Sequence, residues 1–363
     1  MARVVQYSRF GGPEVLEVVD IDTPAPGAGE VLVRVIAAGT NPVESAARSG
    51  AAPELWHVDL PTGQGRDLAG IVSAVGSGVS RFRVGDEVMG YVDHGSQATD
   101  VVVPEVQLAP KPRGVEWEIA GSLYVAGTTA LDGVRDVALR PGDVVVITSA
   151  AGGVGGLAVQ LAVAKGARVI GTVAERNFDY VRMLGATPVA YGADLASRIR
   201  SAAPNGVDAF IDFFGGNSVE VARELGVPSS RITTVLALDA VDEYGVQTAT
   251  AGGLAEMLEI AKLMQDHQLR MPIADVFPLE DIVAAYTQLD RRESVGKIVI
   301  GMNPVRYRNQ RTRDTGVKQQ DVTLGVPTPH DQIDSPVVLP PVFGHRRGHA
   351  PTPPADRRPE EEA

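Results

Sequence analysis

Short alternations of apolar and polar positions fill roughly the first 120 residues of the chain. VVQY, VLEVVD, EVLVRVIAAG, AGIVSAVG, DEVMGYV and DVVVP are β-branched runs bounded by Gly, Pro and Asp. Such alternation sends successive side chains to opposite faces and predicts strands separated by tight turns. The period then changes. DVVVIT, ARVIGTV, VDAFIDF and RITTVLAL are apolar strands, and the segments between them, such as GGLAVQLAVAK and NFDYVRMLGA, have helical spacing. Strand and helix alternating over about 130 residues predict a parallel sheet covered on both faces. After Gly253 the pattern gives a helix, LAEMLEIAKLMQDHQ, then FPLEDIVAAYTQLDRR and a terminal strand, GKIVI. The class is α/β.

Near Asn303 the pattern stops. Residues 303–363 hold ten of the 25 prolines, few large apolar side chains and no sustained period. That composition buries too little surface to offset its ordering entropy, so this tail is expected to be disordered. The length of 363 residues suits two domains ahead of it. The expected boundaries are 1–122, completed by 264–302, for the β-rich domain and 123–263 for the parallel one.

Composition narrows the function. With no cysteine in the chain, disulfides and thiolate-bound metal sites are excluded, while a His/carboxylate site is not. A net charge of -12 argues against a nucleic-acid partner. The apolar runs are broken by charge or glycine before they could span a bilayer, and the first residues show no secretory pattern. A cytoplasmic protein without nucleic-acid or membrane partners is expected.

The strongest local signal is VVVITSAAGGVGG, residues 144–156, followed by the apolar helix LAVQLAVAK. A glycine-rich turn between a strand and a helix presents backbone N–H groups, at the positive end of the helix dipole, to a pyrophosphate. Gly152 and Gly155 occupy the second and third glycine places of the G-x-G-x-x-G fingerprint, with Ala150 at the first. Ala151, Gly152, Gly153, Val154 and Gly155 are therefore cofactor-binding candidates. The next strand, ARVIGTVAERN, ends without an acid at the place where a carboxylate would meet a free ribose 2′-OH. Arg176 and Asn177 follow instead and suit a 2′-phosphate, pointing to NADPH. Glu175 opposes this, since it can accept from a ribose.

Taken together these stretches resemble the zinc-free, quinone oxidoreductase-like group of the medium-chain dehydrogenase/reductase family. The landmarks run in the family's order: AAGTNPVESAARSG, PTGQGRDLAGIVSAVGSGVSRFRVGDEVMG, LAPKP, AGTTA, SAAGGVG, IDFFGG, FPLEDIVAAY and GKIVI. The resemblance implies a GroES-like β-rich catalytic domain around an inserted Rossmann domain with a doubly wound parallel sheet. It implies an active site in the cleft between them, and a homodimer through the Rossmann domain. Zinc-dependent relatives carry a cysteine where this chain has Asn41, and Gly-His-Glu where it has Gly65, Arg66 and Asp67. Neither an amide nor a guanidinium replaces those ligands, so no metal is expected.

Without a metal, acceptors that take hydride readily are the expected substrates: quinones and α,β-unsaturated carbonyls. The protein would align the reacting carbons and supply donors to the developing oxyanion. By the resemblance, Asn41 lies near nicotinamide and substrate, Thr129 holds the carboxamide, Tyr191 stands beside the adenosine phosphate and Lys297 closes over the cofactor. Asn41, Tyr91 and Asp67 are the catalytic candidates, with Asp93 and His94 beside Tyr91 as further proton donors. Plainer roles stand next to these: a turn at Asn41, a helix cap at Thr129, a structural carboxylate at Asp67. Ala46 and Ala47, where many relatives have aromatics, suggest a roomy pocket. An enoyl or ketone reductase of secondary metabolism and a non-catalytic NADPH-binding protein are the alternative functions.

Overall fold

The computed structural model describes residues 1–51 and 58–302. The expected disorder of residues 303–363 therefore falls outside the described residues. The β-rich runs form β1 (Ala2–Tyr7), β2 (Glu17–Ile21), β3 (Glu30–Gly39), β4 (Thr62–Gly63), β5 (Asp67–Val75), β6 (Glu87–Tyr91), β7 (Asp100–Pro104) and β8 (Leu108–Pro110). Helix α1 (Pro42–Ser49) leaves the end of β3, and α2 (Trp117–Ala120) and α3 (Leu123–Asp136) follow β8. Strand β3, buried along most of its length, pairs antiparallel with β5 and β7. Strand β1 pairs antiparallel with β2 and β4 in a separate three-stranded sheet.

From Val144 onward strands and helices alternate. They are β9 (Val144–Ile147), α4 (Gly153–Ala164), β10 (Arg168–Val173), α5 (Phe178–Met183), β11 (Thr187–Ala190), α6 (Leu195–Ala202), β12 (Ala209–Asp212), α7 (Ser218–Glu224), β13 (Ile232–Thr234), α8 (Leu238–Tyr244) and β14 (Gln247–Thr248). All five pairings in this sheet are parallel, and the order is β11-β10-β9-β12-β13-β14. That is the doubly wound Rossmann order, in which the direction of winding reverses beside the first strand. The reversal lies between β9 and β12.

Helix α9 (Leu254–Gln265) packs on α3 and returns the chain to the first sheet through β15 (Ile273–Pro278), α10 (Ile282–Asp290) and β16 (Lys297–Gly301). Strand β16 pairs antiparallel with β3 and parallel with β15. One sheet is thus built from both ends of the described chain. The apolar interior crosses from lobe to lobe: Ala69, Met89 and Ala109 share one buried cluster with Leu123, Val134, Val145, Ile147 and Leu157. Among the described residues no helix is long and apolar enough to cross a membrane.

Two sequence expectations need correction. RITTVLAL is a strand only over Ile232–Thr234. The Thr234 hydroxyl donates to Asp212 Oδ2 (2.8 Å) and accepts the N–H groups of Leu236 (3.3 Å) and Ala237 (3.1 Å), so a side-chain turn ends the strand despite its apolar continuation. The segment IADVFP, not expected to be a strand, is β15. It is short and only partly buried, so its pattern carries little signal.

Candidate active site

The reversal point of the parallel sheet is fixed by one buried carboxylate. Asp212, at the end of β12, accepts from the Thr148 hydroxyl (2.8 Å) through Oδ1 and from the Thr234 hydroxyl (2.8 Å) through Oδ2. It also takes the N–H groups of Phe214 (3.0 Å) and Gly215 (3.1 Å). The loops after β9, β12 and β13 are pinned together this way at the carboxyl edge of the sheet. Beside them opens a cleft of about 560 Å3, placed where doubly wound sheets bind ligands.

Its floor is the glycine-rich turn. The N–H of Gly152 donates to the Ser149 carbonyl (2.9 Å), and Gly152 precedes the first turn of α4. A Cβ at Gly155 would collide with the Ser149 carbonyl, so only glycine lets α4 approach the turn this closely. Ala151 and Gly152 line the cleft together with Arg176, Asn177 and Tyr191; five of the expected cofactor residues, distant in sequence, meet on one surface. Gly153, Val154 and Gly155 stand behind it in α4 and serve the packing of the helix. Glu175 is exposed and is not part of the cleft wall.

The far wall was not foreseen. Tyr191 faces Phe214 with ring centroids 6.2 Å apart, and the Arg292 guanidinium lies over Phe214 while donating to its carbonyl (3.1 Å). Phe214 and Arg292 belong to IDFFGG and DRRESVGK. Only the folded arrangement shows that these segments close one cleft.

Thr129 is not brought to the cleft. It lies inside α3, 8% exposed, and is neither a helix cap nor part of the wall.

Of the catalytic candidates, Asn41 and Asp67 lie in one buried network. Asn41 caps α1: its N–H donates to Glu44 Oε2 (2.9 Å) and its Nδ2 to Glu44 Oε1 (3.0 Å), a capping box. The same Nδ2 donates to Asp67 Oδ2 (3.1 Å), and Oδ1 accepts from Lys297 Nζ (2.6 Å). With 1% exposure, Asn41 is saturated and sealed. Asp67 is fully buried and also accepts the Val125 N–H (3.0 Å) through Oδ1. It clamps β5 to α3 and positions its neighbours.

Lys297 bridges the two lobes. Its Nζ donates to the Thr40 carbonyl (2.7 Å) and lies 3.8 Å from Asp67 Oδ2. Its stem fills the space a side chain at Gly153 would need. The Gly296 N–H donates to the Ala151 carbonyl (2.9 Å), tying β16 to the cofactor turn. The residue closes over that turn with its stem, and its charge points into the catalytic lobe. Burial pulls the Lys297 ammonium below its ordinary pKa, against the attraction of Asp67 and Glu44. Burial, then the Asp67 charge, raise the Glu44 carboxyl. Glu44 also accepts from the Tyr286 hydroxyl (2.5 Å).

Tyr91 stacks flat on Tyr124, centroids 3.9 Å apart and planes 5° apart. Burial, chiefly, pushes the Tyr124 phenol up to about 12, so it stays protonated at neutral pH. Tyr124 and Glu44 were both missed in the sequence. The N-P-x-E spacing of a capping box was available for Glu44, whereas nothing local marks Tyr124. Asp93 and His94 border a second cavity of about 280 Å3 together with Arg66, Glu44 and Ala47. Tyr91 is not on its wall.

The place equivalent to the zinc site does not fit a metal. It offers an amide whose oxygen already accepts from an ammonium at 2.6 Å, and Arg66 stands where the zinc-dependent relatives carry the histidine. Two cations and a saturated amide are the wrong donor set for Zn2+.

Residues 27–113 match the alcohol dehydrogenase GroES-like domain, and residues 153–251 match the family described as zinc-binding dehydrogenase. The chain is 31% identical over 330 residues to a quinone oxidoreductase of Pseudomonas aeruginosa, covering 83% of this chain and 99% of that one. It is 29% identical over 311 residues to an NADPH-dependent alkenal/one oxidoreductase of Arabidopsis thaliana chloroplasts, covering 81% and 78%. The solved quinone oxidoreductase of Coxiella burnetii superposes with a TM-score of 0.76 at 29% identity, over 83% of this chain and 99% of that one.

Proposed function

This chain belongs to the medium-chain dehydrogenase/reductase family, in its quinone oxidoreductase-like group, and we propose that it uses NADPH to reduce a quinone or an α,β-unsaturated carbonyl. The observation that carries the cofactor reading is the cleft wall after β10. Arg176 and Asn177 stand on it and Glu175 does not, the arrangement that favours a 2′-phosphate over a free 2′-hydroxyl. Gly152 and the first turn of α4 would hold the pyrophosphate, with Tyr191 on the adenosine side. When bound, the cofactor supplies the hydride.

The chain's own part is to bind, orient and exclude water. Asp212 keeps three loops in register beneath the cofactor. The Lys297–Asn41–Asp67–Glu44 network fixes β16, α1, β5 and α3 against one another, so the catalytic lobe meets the cofactor turn in one geometry. We further propose a cytoplasmic homodimer through the parallel-sheet lobe. Its edge strand β14, with both residues exposed, leaves backbone groups open to a second copy.

NADPH oxidation by the purified chain, followed against a panel of quinones, enones and simple ketones, tests the function. Turnover is expected with the first two classes. Activity confined to ketones would refute the substrate class, and binding without any turnover would leave an NADPH-binding protein.

A further inference from the structure

Lys297 and Arg66, both cations of the catalytic lobe, are used differently. Lys297 is consumed by Thr40 and Asn41 at 2.7 and 2.6 Å. Arg66 is not. Its backbone is fixed, with the N–H donating to Glu44 Oε1 (3.0 Å) and the carbonyl accepting from the Val92 N–H (3.0 Å). Its guanidinium, however, has among the described residues only a long contact, 3.9 Å from the carboxylate of the largely exposed Asp93. Its Nε is buried and has no hydrogen-bond partner among the described residues. A buried charged donor left unmade is costly, and a folded chain keeps such a group where something else completes it.

The guanidinium faces the 280 Å3 cavity, whose other walls include Tyr7, Ala47, Gln64 and His94. On its other flank is the Tyr91–Tyr124 stack, close enough for the Arg66 charge to act on the Tyr124 phenol. Its neighbour Asp67 touches Asn41 and approaches Lys297, whose stem lies on Gly153 of the cofactor turn. A cation with free donors therefore sits on an open cavity, one residue from the network that joins the catalytic lobe to the cofactor site.

We propose that Arg66 is a catalytic residue, that its guanidinium binds the acceptor's carbonyl oxygen in this cavity, and that it provides the positive charge that a metal provides in zinc-dependent relatives. This rests on the reductase reading above. In the step, NADPH is oxidised to NADP+ and its hydride forms a C–H bond at the acceptor's β-carbon. The C=C π pair moves to the adjacent bond, and the C=O π pair settles on oxygen as an enolate. Arg66 donates hydrogen bonds to that oxygen and keeps its protons; water then supplies the proton. The same contact serves a quinone: the hydride forms an O–H bond at the distal oxygen, the π pairs shift to make the ring aromatic, and the oxygen held by Arg66 becomes a phenolate. Because the charge on oxygen grows through the step, the interaction acts mainly on kcat.

The test compares wild type, Arg66→Ala and Arg66→Lys with NADPH and either 2-cyclohexenone or 1,4-naphthoquinone. The NADPH Kd, read from cofactor fluorescence, is expected to be unchanged in all three. Arg66→Ala should lower kcat about a hundredfold with a smaller change in KM, Arg66→Lys should fall between, and added guanidinium ion should restore part of the alanine variant's kcat. An unchanged kcat in Arg66→Ala overturns the proposal. So does a loss seen only as raised KM for acceptors bearing a remote carboxylate, which would make Arg66 a distal anchor. Should wild type itself turn over no quinone or enone, the function fails and this inference with it. Loss confined to the variants' NADPH binding would overturn Arg66 alone.

Discussion

Glu175 and Arg176 are neighbours in the chain with opposite consequences for the cofactor. A carboxylate near the ribose favours NADH and a guanidinium favours NADPH, and from sequence both stood at the end of the same strand. Only the path of the turn after β10 separates them, by putting Arg176 and Asn177 on the cleft wall and leaving Glu175 off it. A hydrogen bond to a charged group contributes about 1.5–3 kcal/mol. Arg176→Ala should therefore weaken NADPH binding roughly tenfold to a hundredfold and leave NADH nearly untouched, as titration of each cofactor will read. Equal losses for both would assign Arg176 to the fold, and a wild-type preference for NADH would restore Glu175. Asn41 shows the converse limit. Its bond to Glu44 follows the local N-P-x-E spacing, but its partners Asp67 and Lys297 come from distant segments and no local pattern announces them.

At the scale of elements, the capping box of α1 carries more than a helix start. Glu44, its third residue, is the acceptor shared by Asn41, Arg66 and Tyr286, yet burial and Asp67 hold its pKa above the ordinary 4.5. A carboxyl raised in the folded state binds its proton more tightly there than in the unfolded chain. The stability this gives is complete below pH 4.5 and is lost as pH rises through the folded value. Lys297, lowered by burial, has the opposite slope, but its change lies on the approach to its ordinary value of 10.5. Glu44→Gln mimics the protonated carboxyl. The melting-temperature difference, wild type minus variant, is thus expected to fall as pH rises from 4.5; a difference independent of pH would show that Glu44 is not proton-linked to folding. Elements with strong periods, such as α4, α9 and the parallel strands, were legible in the sequence. The glycine-rich turn was legible too, because its spacing has a local steric cause at Gly155. Strand β15 and the early end of β13 were not, since a partly buried edge and a Thr234 side-chain turn leave no periodic trace.

Across the whole molecule, the two lobes differ in topology but share an interior. The cluster joining Ala69 and Met89 to Val145, Ile147 and Leu157 runs unbroken through α3, and the Gly296–Ala151 and Lys297–Asn41 contacts bind the last strand to both sides. Opening one lobe would expose apolar surface of the other, so the described body should unfold in a single calorimetric transition. That body also finishes itself at its C-terminal side: β16 lies between β15 and β3, and the Met302 N–H donates to the Ile36 carbonyl (3.0 Å). Residues 303–363, rich in proline and poor in large apolar side chains, bring little that such a core requires. A chain ending at Met302 is therefore expected to keep the single transition, its midpoint and the NADPH Kd of the full chain. A lower midpoint would mean that the tail covers part of the body, and a weaker Kd at an unchanged midpoint would mean that it reaches the cofactor cleft.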